Sequence, residues 1–155
     1  MGELTEIRWH ARAGQGAKTA SQILALALLR SGRSVQSFPE YGPERRGAPL
    51  RAYTRFAADS VRRHDAVEEP DLVVVLDPSL LDEPGVREGM ADTTPLLVSE
   101  TTESSANVRM LGRVAATLGE PPLETLQQAI VDVLGRKGSA DELRAAAAEG
   151  YACRV

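Results

Sequence analysis

The chain has 155 residues, of which 43% are hydrophobic and 26% charged, and this composition predicts one globular domain with an ordinary core. A net charge of −4 and an aromatic content of 4% argue against a nucleic-acid-binding surface. The single cysteine, Cys153, excludes an internal disulfide, an iron–sulfur cluster held by this chain alone and a thiolate zinc site. No apolar run approaches the ~20 residues of a membrane span and no signal-peptide pattern is present, so we expect a cytoplasmic location.

The apolar pattern predicts alternating strands and helices over the first hundred residues and helices thereafter. The predicted strands are 4–9, 34–38, 50–56, 71–76 and 95–98, and the predicted helices are 17–29, 106–118, 123–134 and 140–149. The run from Leu72 to Leu76 is apolar throughout, which is typical of a strand covered on both faces. We therefore predict a single α/β domain over residues 1–155, with three layers, a mostly parallel sheet flanked by helices, and a helical C-terminal end.

A glycine turn, Gly14-Gln15-Gly16, separates the first predicted strand from the first helix. Such a turn lets a ligand approach the backbone, and the helix N-terminus offers N–H groups to an anion. Lys18 adds a cation in the first helical turn. The pattern is not G-x-G-x-x-G, because Ala13 and Thr19 stand where that pattern needs glycines. A phosphate-binding turn and a plain tight turn both remain open.

The segment from Pro39 to Pro49 holds three prolines and two glycines, which excludes a helix and predicts a stiff loop. We call it the central loop. Stiff loops on a scaffold often carry binding residues, and this one carries Tyr41, Glu44, Arg45 and Arg46. Arginines bind carboxylates and phosphates through two parallel hydrogen bonds. The alternative is a solvated turn in which glutamates pair with the arginines.

Charge is unevenly distributed, since residues 1–65 hold 11 Lys and Arg against 6 Asp and Glu, whereas residues 66–155 hold 7 against 16. The basic half contains the central loop, which favours an anionic ligand or an acidic partner there. No independent catalytic set accompanies these binding features. For His10 we favour a structural role over a ligand contact. We expect His64 to be exposed to solvent and Asp77 to cap the segment that begins at Pro78. This combination is typical of a subunit of a larger assembly.

Five stretches together resemble the gamma subunit of 2-oxoacid:ferredoxin oxidoreductases: Ile7–His10, Gly14–Gly16, Ser37–Pro49, Pro70–Asp77 and Asn107–Gly112. The resemblance covers most of the chain in the same order. Two features depart from the family pattern. Ala11 and Ala13 replace glycines of the turn, and a Cβ there disfavours positive φ. The segment 99–106 is shorter than in the family, which predicts a smaller sheet.

The resemblance implies a non-redox subunit of a complex that oxidatively decarboxylates a 2-oxoacid to an acyl-CoA. Thiamine diphosphate with Mg²⁺, [4Fe-4S] clusters and coenzyme A would be used through partner alpha, beta and ferredoxin-like delta subunits, with ferredoxin or another electron acceptor. No nucleic acid and no membrane span are implied. This chain would pack beside the thiamine-binding subunits and help enclose the active site and the coenzyme A path. The implied contact residues are Gly14, Gln15, Gly16, Lys18, Tyr41, Glu44, Arg45, Arg46 and Asn107.

The residues themselves leave two other functions open. A stand-alone Rossmann-type nucleotide-binding module needs an acidic ribose-binding residue about 20 residues after its phosphate turn. Residues 34–38 lie near that distance and include no carboxylate. The other alternative is a purely structural assembly subunit without ligand contact.

Overall fold

The computed structural model describes residues 3–40, 47–136 and 138–153. Five strands are present there: β1 (Thr5–Arg12), β2 (Ser34–Pro39), β3 (Pro49–Ala57), β4 (Leu72–Val75) and β5 (Leu96–Val98). The α-helices are α1 (Ala17–Arg30), α2 (Ala106–Leu118), α3 (Leu123–Leu134) and α4 (Ala140–Ala152). Two short 3₁₀ helices, Pro78–Asp82 and Pro84–Val86, follow β4. The predicted elements are confirmed, and the bounds of α2 and α3 coincide with the predicted ones.

The sheet has the order β2-β3-β1-β4-β5. The α/β class and the helical C-terminal end are confirmed, but the sheet is mixed rather than mostly parallel. β1 pairs in parallel with β4, and β4 with β5, whereas β3 is antiparallel to both β1 and β2. The physical reason is the short connection between β2 and β3: the nine residues 40–48 separate these strands, fewer than a crossover helix needs. Strands joined without a crossover helix pair antiparallel.

The main core lies between one face of the sheet and the four helices. It contains Ile7 and Trp9 of β1, Leu72 and Val74 of β4, and apolar residues from every α-helix. The Trp9 indole N–H donates to the Thr54 hydroxyl at 3.1 Å, so the buried polar edge of this ring is satisfied.

The helices α2 and α4 pack with their backbones in contact. A Cβ added to Gly112 would lie 2.1 Å from the Ala147 carbonyl oxygen, and one added to Gly150 would lie 1.9 Å from the Arg109 carbonyl oxygen. Glycine on both helices is therefore what allows this close approach.

The opposite face of the sheet is covered by the two 3₁₀ helices and irregular chain rather than by α-helices. A second apolar cluster forms there from Val73, Val75, Leu80 and Val86. The alternation of Arg51, Tyr53 and Arg55 suggests that β3 has one wet face, but this interpretation is wrong for two of them: Tyr53 is 1% exposed and Arg55 fully buried.

Arg55 is buried because neighbouring strands supply its partners. Its Nε donates to the Glu6 carboxylate at 2.7 Å and its NH1 to the Gln36 side-chain oxygen at 3.1 Å. The guanidinium also lies 5.5 Å from the centre of the Phe38 ring. A buried charge is tolerated when it is paired and hydrogen-bonded in this way. No described helix is both long enough and apolar enough to cross a membrane.

Candidate functional site

The glycine turn joins the carboxyl end of β1 to α1, and its backbone explains the two glycines. Gly14 has φ +92° and Gly16 has φ +82°, a left-handed region that residues with a Cβ rarely adopt. Gly16 is the N-cap of α1, which has no side-chain cap and no acidic residue in its first turn. Lys18 is exposed on that turn. The N-terminus of α1 thus carries positive partial charge that no side chain of its own first turn compensates.

Gln15 connects the glycine turn to the end of β4. Its side-chain oxygen accepts from the Arg12 N–H at 2.7 Å, and its side-chain nitrogen donates to Asp77 Oδ2 at 2.6 Å. Asp77 Oδ1 accepts from the Ser79 N–H at 3.0 Å, which is the capping role predicted for it. Burial acts to raise the pKa of Asp77, but the hydrogen bonds from Gln15 and Ser79 outweigh burial and lower that pKa. Asp77 therefore holds the turn as a carboxylate.

Arg12 ties the base of the central loop to the same place. Its Nε donates to the Ser79 hydroxyl at 3.0 Å and lies 3.6 Å from Asp77 Oδ2, and its NH1 donates to the Gly47 carbonyl at 3.1 Å. The Ala13 N–H donates to the Ala48 carbonyl at 3.0 Å. The predicted loop residues Tyr41, Glu44, Arg45 and Arg46 lie outside the described residues.

A second helix N-terminus meets the first one at Asn107. A Cβ added to Gly16 would lie 2.6 Å from Asn107 Nδ2, so the amide packs directly on the glycine backbone. Asn107 is in the first turn of α2, which has no side-chain cap at Ser105 and no acidic residue in its first turn. A cavity of about 340 Å³ opens beside Asn107, between the start of α2 and the start of α4. Two helix N-termini thus present donors at one edge of the sheet.

The alanines that depart from the family pattern fit without strain. Ala11 is a fully buried residue of β1, paired with Leu50. Positive φ occurs only at glycines among the described residues, so neither Ala11 nor Ala13 adopts it. The short segment after β5 forms a loop in which the Ser99 hydroxyl donates to the Thr101 carbonyl at 2.6 Å.

The structure therefore brings Gly14, Gln15, Gly16 and Asn107 together, with Lys18 on the same helical turn. Arg12 was not predicted as a site residue, because its hydrogen-bond partners lie 35 and 67 residues further along the chain. Its position at the end of β1, just before the turn, was the available signal. His64 is exposed, with Nδ1 3.2 Å from the Gln36 side-chain nitrogen.

His10 is 4% exposed and lies on the face opposite the main core. Its Nε2 accepts a hydrogen bond from Arg8 Nε at 2.9 Å. Burial first, and then the charges of Arg8 and Arg51, lower the His10 pKa to about 3. The ring is consequently neutral at ordinary pH.

The chain is similar in sequence to pyruvate and ketoisovalerate oxidoreductase subunits. The sequence model of the family described as pyruvate ferredoxin/flavodoxin oxidoreductase matches residues 6–104. Pyruvate synthase subunit PorC of Thermotoga maritima is 40% identical over 161 residues, covering 85% of this chain and 83% of that protein. The pyruvate/ketoisovalerate oxidoreductases common subunit gamma of Thermococcus kodakarensis is 38% identical over 178 residues, covering 94% of each chain.

Solved structures show the same fold. The crystal structure of the Thermotoga maritima PORC subunit superposes with a TM-score of 0.81 at 36% identity, covering 96% of both chains. A 2-oxoglutarate:ferredoxin oxidoreductase from Magnetococcus marinus superposes with a TM-score of 0.69 at 18% identity, covering 96% of this chain and 30% of the longer one.

Proposed function

Since this chain belongs to the pyruvate ferredoxin/flavodoxin oxidoreductase family as a gamma subunit, we propose that it is the non-redox part of its complex. That complex oxidatively decarboxylates a 2-oxoacid to an acyl-CoA. The chain packs beside the thiamine diphosphate subunits and helps enclose the active site and the coenzyme A path. The other members are alpha, beta and ferredoxin-like delta subunits, with ferredoxin or another electron acceptor, in the cytoplasm.

The side-chain ligands that each cofactor requires indicate which subunit would hold it. A [4Fe-4S] cluster needs four thiolates, and the chain has one cysteine. The described residues include no group of three or more His, Cys, Asp or Glu that could hold a metal ion. We assign the clusters and Mg²⁺-thiamine diphosphate to the partner subunits, where they would supply the decarboxylation and electron-transfer chemistry.

Coenzyme A carries phosphate groups, and these fit the edge described above. The observation that supports a coenzyme A contact is that two helix N-termini without side-chain caps meet at Gly16 and Asn107. N–H groups and helix dipoles favour an anion at such a place, and Lys18 adds a full charge. The longer Magnetococcus marinus chain, which contains this fold, was solved with coenzyme A and succinyl-CoA bound. Coenzyme A is accordingly the first ligand to test.

The composition of the native complex tests the subunit assignment. A tagged copy of this chain should copurify with chains that carry iron–sulfur clusters and thiamine diphosphate. Purification of this chain by itself from cells that express the neighbouring subunits would overturn the assignment.

A substitution tests the coenzyme A contact separately. Asn107→Asp places a carboxylate in the first turn of α2, where it favours the helix but repels a phosphate. We expect the KM for coenzyme A in the assembled complex to rise about tenfold with little change in melting temperature. Gln128→Glu, the same chemical change on the exposed face of α3, is the matched control. An unchanged KM in Asn107→Asp would remove the coenzyme A contact and leave the subunit assignment intact.

A further inference from the structure

Asp77 follows β4 at the place where the glycine turn, the base of the central loop and the first 3₁₀ helix meet. The residue is buried, with 8% of its surface exposed. Its Oδ2 accepts from the Gln15 side-chain nitrogen at 2.6 Å, and its Oδ1 accepts from the Ser79 N–H at 3.0 Å. One carboxylate therefore holds the turn and the segment after β4 together.

The two hydrogen bonds require a carboxylate at position 77. The Gln15 side-chain oxygen accepts from the Arg12 N–H at 2.7 Å, so the nitrogen of this amide is the atom that must face Asp77. Gln15 and Ser79 thus both present N–H donors. A carboxylate has an acceptor oxygen for each of them, whereas the amide of an asparagine has one oxygen and one NH₂ group and leaves one donor facing another. Asp77→Asn is consequently not a neutral exchange, although it hardly changes the size of the side chain.

Arg12 connects the same carboxylate to the central loop. Its Nε lies 3.6 Å from Asp77 Oδ2, and its NH1 donates to the Gly47 carbonyl at 3.1 Å. The Ala13 N–H donates to the Ala48 carbonyl at 3.0 Å. The glycine turn and the base of the loop are therefore linked to each other through one side chain.

We propose that Asp77 is a positioning residue for coenzyme A: its carboxylate fixes the glycine turn and the base of the central loop relative to each other, and so holds the turn in its binding conformation. The inference rests on the coenzyme A contact proposed above. Asp77 acts on the ligand through Gln15 and Arg12. A negative charge near an anion site is unfavourable by itself, so electrostatics alone predicts that Asp77→Asn lowers the KM for coenzyme A. Positioning predicts a change of the opposite sign.

The KM for coenzyme A in the assembled complex is the first measurement. Asp77→Asn should raise this KM about tenfold and change kcat by less than about twofold, because binding is weakened while the chemistry on the partner subunits is untouched. Asp132→Asn is the matched control. Asp132 also accepts from a glutamine and an arginine, Gln128 and Arg30, but it is exposed on α3, and its substitution should leave the KM unchanged. An unchanged or lowered KM in Asp77→Asn overturns the positioning role.

Exchanging the two functional groups distinguishes positioning from a general loss of folding. When Gln15→Glu is combined with Asp77→Asn, the new amide donates to the new carboxylate, and its oxygen still accepts from the Ser79 N–H. The Arg12 N–H also keeps an oxygen acceptor. The double variant should therefore recover a KM within about threefold of the original value, whereas Gln15→Glu alone sets two carboxylates against each other and should not. A double variant as impaired as Asp77→Asn contradicts the proposal.

Amide hydrogen exchange in the full chain tests the link to the loop without ligand or partner subunits. Asp77→Asn should speed exchange of the Ala13 N–H about tenfold or more. The Val73 N–H, which donates to the Pro95 carbonyl within the sheet, should keep its rate. A general loss of stability speeds both amides alike, and that result, or an unchanged rate at Ala13, refutes the link.

Asn107→Asp separates failure of this inference from failure of the coenzyme A contact. A raised KM in Asn107→Asp with an unchanged KM in Asp77→Asn overturns the positioning role alone. An unchanged KM in both variants removes the coenzyme A contact and, with it, the ligand part of this inference. Exchange at Ala13 then decides whether Asp77 holds the turn and the loop base together.

Discussion

Substitution of the two turn glycines separates backbone strain from contact with α2. Both Gly14 and Gly16 have positive φ, but an added Cβ meets no atom within 4 Å at Gly14, whereas at Gly16 it meets Asn107 Nδ2 at 2.6 Å. A left-handed L-residue costs about 1–2 kcal/mol, and this cost applies to Gly14→Ala and Gly16→Ala alike. Crowding adds about 1 kcal/mol, the low end for overpacking, because the Asn107 amide is the far end of a half-buried side chain and can move; this cost applies to Gly16→Ala alone.

The expected loss of unfolding free energy is therefore about 1–2 kcal/mol for Gly14→Ala and about 2–3 kcal/mol for Gly16→Ala. At about 2–4 °C per kcal/mol for a chain of this size, thermal denaturation followed by circular dichroism resolves the two. Gly14→Ala is the matched control. In an Asn107→Ala background the difference between the two glycine substitutions should fall to about 0.5 kcal/mol or less, because the crowded amide is gone.

Equal costs at Gly14 and Gly16, or a difference that persists without the Asn107 amide, would refute the packing of Asn107 on the turn. The bulkier Gly16→Val should damage folding or assembly as well as ligand affinity. A Gly16→Val variant with unchanged melting temperature and unchanged activity of the complex would show that the turn is an ordinary one.

Four other outcomes are expected. Arg8→Met should lower the unfolding free energy by about 2–4 kcal/mol, since buried carbonyls lose their donor; denaturation by urea measures it, and a loss below about 0.5 kcal/mol contradicts it. His10, with a pKa of about 3, should stay neutral in NMR titrations down to about that pH. Because the unfolded chain takes up that proton near its ordinary value of 6.5, the contribution of His10 to stability is present above pH 6.5 and is lost as pH falls towards 3. A His10 ring that titrates near 6.5 contradicts this. The purified chain alone should show no iron–sulfur absorption and no dye reduction with pyruvate and coenzyme A. Dye reduction by the chain alone would contradict the non-redox assignment. We expect Arg45→Ala or Arg46→Ala, made separately, to weaken subunit association or coenzyme A affinity, because truncating a buried arginine–anion contact costs ~2–5 kcal/mol. A change below about twofold in both variants would identify a solvated loop.

Local signals account for what the sequence predicted well. The helix α2 ends at Leu118 and is capped by Gly119, whose φ of +77° is typical of a glycine C-cap, and α3 begins directly after Pro122. The glycine turn was likewise predictable, because two glycines between a strand and a helix indicate a special backbone. These features depend on neighbours within a few residues.

Contacts between distant residues account for what the sequence did not predict. A residue alternation of two is the same in parallel and antiparallel strands, so the pattern of β3 by itself gave no sign of its direction. The available signal was the short connection from β2, which leaves no room for a crossover helix. Arg55 resembled a wet-face residue because its partners, Glu6 and Gln36, lie on other strands. Arg12 was missed for the same reason. The contact roles of Tyr41, Glu44, Arg45 and Arg46 stay predictions.

The glycine contact between α2 and α4 has a consequence for how the chain matures. During synthesis, α2 emerges before the helix that its Gly112 is shaped to receive, so its packing partner is missing until α4 has been made. The same helix α2 carries Asn107 to the glycine turn. The edge of the sheet where Asn107 meets Gly16 is therefore completed only after α4 has been synthesised.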